Sequence, residues 1–126
     1  MIDRYNPFET PGPQEWLDLD EEERLRLVED YHRRARVRLP NAKLHAVMHV
    51  IIENQIALGN ETPVQRTAQR LMDEGLDRHD AVHAIGSVLA GHMLDLTRQP
   101  STGGDPNQSY YAALERLTAE SWRESG

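Results

Sequence analysis

Five breaks, at Pro40, Gly59, Pro63, Gly75 and Pro100, divide this chain into intervals that have little choice but to be helical. Within each interval apolar residues recur at spacings of three and four, and no apolar-polar alternation runs long enough to make a strand. In "DLDEEERLRLVEDYHRRARVRLP", Asp20 is placed to cap a helix. Three glutamates then sit at the positive end of the helix dipole, and arginines 33, 34, 36 and 38 crowd the negative end. The apolar stripe of this helix reads Leu25, Val28, Tyr31, His32 and Ala35. A second helix is expected over residues 41–58, ending where Gly59 can adopt the left-handed cap conformation. Thr62 and Pro63 open a third, which Gly75 ends, and Asp77 is placed to cap a fourth that stops before Pro100.

These elements predict an all-α fold, a small antiparallel helical bundle of four to five helices with short connections. Residues 1–13, with Pro7, Pro11, Gly12 and Pro13, read as an extended lead-in, and a short helical turn from Gln14 would bury Trp16 and Leu17. The bundle domain is expected over 14–99, a flexible connector over 100–109 ("STGGDPNQS"), and one C-terminal helix over 110–126 on the spacing of Tyr111, Leu114, Leu117 and Trp122. At 126 residues a single domain with a real core is expected, with loose ends.

Composition narrows the function classes. The formal charge of −7 argues against a nucleic-acid partner, which needs clustered positive charge. With no cysteine there is no disulfide framework and no thiolate, so any metal must be held by nitrogen and oxygen. No leader-like segment and no membrane-length apolar run occurs, so no membrane partner is expected and the cytoplasm is the default location. The helix surfaces leave a homodimer open.

The chemistry lies in the histidines. "LHAVMHVIIENQ" carries His45 and His49 inside an otherwise apolar run, and "RHDAVHAIGSVLAGHM" repeats the spacing with His79 and His83. Residues four apart on a helix share a face, so each pair projects two imidazoles toward the core. Two such pairs supply the four nitrogens of a zinc-type tetrahedron. Glu53, Gln55 and Asp80 are expected either to ligate or to hold the ligands from outside. Gly86 and Ala90 would allow close approach of another helix. The competing reading is a buried hydrogen-bond network of neutral imidazoles in an interaction or dimerisation module.

His32 falls on the apolar stripe with Glu29 three residues before it, and Asp80 precedes His83 in the same way. Carboxylate-histidine pairs on two helices are a feature of di-iron and di-manganese bundles. That pattern needs further inward glutamates, and Glu53 alone fits, so His32 is expected to be a core residue or to support a ligand. His92 is on the opposite side of its helix and is expected to be structural. The metalloprotease pattern fails, because Ala46 follows His45 where a glutamate belongs.

The segments that run from "EWLDLDEEERLRLVEDYHRRARVRLPNAKLHAVMHVIIENQ" to "GLDRHDAVHAIGSVLAGHMLDL" resemble a family of short bacterial proteins catalogued as a domain of unknown function. Its similar members pair an HxxxHxxxExQ helix with a later HxxxH helix. His45, His49, Glu53 and Gln55 match the first motif, and His79 and His83 the second. The resemblance implies the helical fold over residues 14–97 but no activity. The expectation is therefore a helical protein binding a divalent metal, zinc before iron or manganese, in a structural or a hydrolytic role.

Overall fold

The computed structural model describes residues 2–36, 41–98 and 107–125. Arg38, Pro40, Pro100 and residues 101–106 of the expected connector lie outside them. The described residues form helices and no strand. They are α1 (Pro13–Asp18), α2 (Glu21–Arg34), α3 (Ala42–Ala57), α4 (Val64–Asp73), α5 (Arg78–Arg98), α6 (Gln108–Arg116) and α7 (Ala119–Ser125), with a 3-10 turn at Gly59–Glu61. The fold is all-α, as the periodicity requires.

The caps expected at Asp20 and Asp77 form: Asp20 accepts from the Glu23 amide at 2.8 Å and Asp77 from Asp80 at 2.7 Å, while Asn41, read as the first helical residue, caps α3 by accepting from Leu44 at 3.0 Å. Each satisfies an amide that has no partner within its own helix. Gly75, at φ +110°, makes the turn from α4 to α5 in a region that a side chain would strain.

Helix α3 is the axis of the molecule, packed against α1, α2, α4 and α5. Ala46 and Val50 belong to a core shared with Tyr5, Trp16, Leu27 and Val28, whereas Ile52 and Ile56 belong to a second core with α4, α5, α6 and Ala119. Burial on two sides explains why α3 is apolar nearly all round. The two cores meet along it, and the histidines sit where they meet.

Three details differ from the sequence reading. The lead-in is anchored: Tyr5 is 2% exposed and Pro7 is buried, because Tyr5 packs on Trp16 and Tyr31. The stripe of α2 is shifted, burying Leu27 and leaving Ala35 exposed, since contact with α3 and with Tyr5 decides which face is covered. The C-terminal helix is two. Leu117 turns extended, Thr118 and Ser121 exchange side-chain to amide hydrogen bonds at 3.0 and 3.1 Å, and Glu74 accepts from the Ala119 amide at 2.9 Å. That reciprocal cap starts a new helix. No helix among the described residues is long and apolar enough to cross a membrane.

Trp16 is fully buried, and its indole donates to Asn54 Oδ1 at 2.9 Å, which Arg24 also reaches at 3.0 Å. Trp16→Ala is expected to lower stability by about 3–5 kcal/mol. Leu94→Ala, at a position 49% exposed, should change it by less than about 0.5 kcal/mol. Urea denaturation of the two variants measures both.

Candidate metal centre

Three helices bring five of the six histidines together. His32 comes from α2, His45 and His49 from α3, and His79 and His83 from α5. Ring centroids are 4.7 Å apart for His45–His49, 5.1 Å for His49–His83, 4.2 Å for His79–His83 and 5.0 Å for His32–His49. Two groups of three have ligand nitrogens within 4.8 Å of one another: His45, His49 and His83, and His32, His49 and His79. Either could hold a metal ion. His49 belongs to both.

A buried polar chain fixes the protonation of His49. Glu53 lies one turn after His49 on α3, is 1% exposed and makes a two-pronged ion pair with Arg78 at 2.7 and 2.8 Å. Arg78 is held further by the Pro7 carbonyl at 2.9 Å and Thr10 Oγ1 at 3.1 Å. The Tyr5 hydroxyl donates to Glu53 Oε2 at 2.6 Å. Burial first, and then the Glu53 carboxylate, hold that phenol protonated far above its ordinary range. Its one hydrogen is committed to Glu53, so toward His49 Nδ1, 3.1 Å away, it can only accept. His49 therefore carries its proton on Nδ1, and its Nε2 lone pair faces the other imidazoles.

His32 is oriented likewise. Its Nδ1 lies 2.8 Å from the Val28 carbonyl, which can only accept, so in the neutral ring the bare lone pair is on Nε2. That Nε2 is buried and without a hydrogen-bond partner, as is Nε2 of His79. Burial, reinforced by neighbouring imidazoles, lowers His49 to about 2 and His45 and His83 to about 4, and lowers His79 as well. These rings are neutral at pH 7, the form that ligates.

Hydrogen bonds alone do not satisfy this cluster. His49 Nε2 lies 3.1 Å from Nε2 of both His45 and His83. A single sp² lone pair takes one good hydrogen bond, so two donors cannot both be served, and unpartnered buried nitrogens are costly. Nitrogens bound to one zinc-type ion at 2.0–2.1 Å would be about 3.3 Å apart in a tetrahedron and about 2.9 Å apart at neighbouring octahedral positions. The observed spacing falls between the two. The donor set fits such an ion.

The two sides of the cluster differ. Around His32 and His79 stand aromatic rings, with Phe8 edge-on to His79 at 5.2 Å and Tyr31 edge-on to His32 at 5.2 Å and to His79 at 5.9 Å. On the other side His45, His49 and His83 line a cavity of about 420 Å³ whose walls include Met48, Ile52, Val82, Gly86 and Trp122. One side is walled and the other is open.

The remaining expected site residues fall elsewhere. Glu53 holds His49 only through Tyr5 and has both oxygens taken, so it is not free to act as a base. Gln55 points away from the histidines and accepts from the Tyr110 hydroxyl at 2.8 Å. Asp80 is exposed and Glu29 half-buried on α2, and neither joins a ligand group. Among the described residues those groups hold no carboxylate, so the mixed ligands of a dinuclear bundle are not assembled. Gly86 has open space where a side chain would be, so it widens the cavity instead of admitting a helix. His92 stands apart, stacked on Tyr110 at 5.5 Å.

Tyr5 and Arg78 are the functional-site residues that sequence reading missed. Their signal was indirect: a lone glutamate in the apolar run of α3 requires a buried cation, and a histidine aimed at the core requires a partner on its second nitrogen.

Fold and site together define a histidine-centred all-helical protein. The chain belongs to the family described as a domain of unknown function, DUF1841, whose model matches residues 14–116. No curated protein and no solved structure matches it.

Glu53→Ala would leave Arg78 buried without its counter-charge, and a loss of about 3–5 kcal/mol is expected in chemical denaturation. For the metal-free protein the pH dependence follows from the lowered histidines. Between the ordinary value of 6.5 and about 4 the unfolded chain binds protons that His45 and His83 refuse, so stability falls as pH drops through that window. His49, lowered to about 2, extends the loss further down. Melting curves from pH 7.5 to 4 of the wild type and His45→Gln should show a shallower loss in the variant.

Proposed function

We propose that this protein binds one divalent transition metal ion, zinc first, through His45, His49 and His83, with a coordination position left toward the adjoining cavity. The observation that carries the reading is His49 Nε2, left without a proton because Tyr5 holds the proton on Nδ1, and 3.1 Å from two further imidazole nitrogens. His32 and His79 belong to the second group around His49 and do not join this one. Three protein nitrogens with an open position are the arrangement of ligand-binding and catalytic ions, whereas a structural ion is closed by four. Such an ion supplies Lewis-acid chemistry at the cavity wall. The chain's own part is to keep the imidazoles neutral, to aim them, and to exclude water from the aromatic side.

A purely structural hydrogen-bond network is the weaker reading, since the single lone pair of His49 Nε2 cannot serve both His45 and His83. In untagged protein supplied with zinc and then desalted, elemental analysis should find a single equivalent per chain. His49→Ala should reduce it to near background. Tyr5→Phe should keep the stoichiometry and weaken affinity about 10–100-fold in competition with a chelator. Wild-type protein that retains no metal under these conditions would refute the proposal.

A further inference from the structure

We propose that the cavity beside His45, His49 and His83 is a binding site for a small monocarboxylate with an apolar tail, its carboxylate on the ion and its tail laid along α5 over Gly86 and Ala90. This rests on the metal reading above and adds the ligand class.

The cavity, about 420 Å³, is at the small end of the ~300–1,000 Å³ range of ligand pockets. Its walls are Leu44, Met48, Ile52, Val82 and Trp122, and among the described residues no Asp, Glu, Lys or Arg lines it. The other polar lining residues have local engagements: Asn41 Oδ1 caps α3, and the Ser87 hydroxyl donates to the His83 carbonyl at 3.2 Å. The imidazoles are thus the polar end of an otherwise oily groove. Three neutral imidazoles leave the charge of a divalent ion uncompensated, and the nearby buried carboxylate, Glu53, is already neutralised by Arg78. An anionic head meets that charge. Asp77, the cap of α5, and Asp80 on it are exposed and precede His83, whereas Gly86 and Ala90 lie about one and two turns beyond it. A side-chain carbon at Gly86 would touch nothing within 4 Å, so the floor of the groove is open space.

The test uses the full untagged chain, first scored for zinc uptake and then titrated, zinc-loaded, with acetate, butyrate, hexanoate, octanoate and 1-octanol by calorimetry and by tryptophan fluorescence, to which Trp16 and Trp122 both contribute. Each added methylene should tighten carboxylate binding roughly threefold to fourfold until the groove is full. Octanol, and octanoate on the metal-free protein, should each bind at least tenfold more weakly than octanoate on the loaded protein. Gly86→Leu should cost octanoate at least tenfold. Ala90→Leu, at an exposed position, supplies the same obstruction should the first variant fail to fold. Affinity independent of chain length, equal binding of octanol and octanoate, or undiminished octanoate binding in the obstructed variants would overturn the proposal. Failure at the zinc step removes the metal reading and this one with it, while zinc uptake without octanoate binding removes this one alone.

Discussion

The buried ion pair between Glu53 and Arg78 is the interaction on which the interior depends. Each charge would be untenable alone in that surrounding, and each is satisfied by the other together with neutral partners drawn from the N-terminal segment. The pair joins α3 to α5 at the level where the histidines begin. It also sets direction: with the carboxylate taking the Tyr5 hydrogen, the phenol oxygen must accept from His49, and the ring must present its other nitrogen inward. A charge pair that contributes little net stability can in this way determine the chemical state of a residue it does not touch.

The same helix explains why the centre is where it is. An amphipathic helix would keep one face in water and could place histidines at the boundary only. Helix α3 is covered on two sides, so His49 and Glu53 are carried into the interior on the same face, one turn apart. The cost of burying those polar groups is offset by their mutual arrangement, and the imidazoles of α2 and α5 close around them.

Much of this was legible in the sequence, and the boundary of legibility is physical. Caps and breakers act locally, so Asp20, Asp77 and Gly75 located the helices closely. Helical spacing on a single rod is also local, so the pairing of His45 with His49 and of His79 with His83 on shared faces could be read. Contacts between rods could not. His32 looked like a core residue because its stripe is apolar, yet α2 packs so as to bring its ring against His45 and His49. Gln55 shares a motif with His49 but stands on another face and serves Tyr110. The break at Leu117 was hidden because helical spacing continues across it, and only the Thr118–Ser121 exchange and the reach of Glu74 reveal it. Tyr5, within a proline-punctuated lead-in, carried no periodic signal at all.

The contact between Tyr5 and His49 spans 44 positions of chain. Closing a contact of that range costs loop entropy that must be met before the contact rewards it. Selecting the imidazole tautomer is consequently not a property of α3 in isolation but of the finished tertiary structure. A chain whose first ten residues had peeled away would lose the instruction that tells one nitrogen from the other.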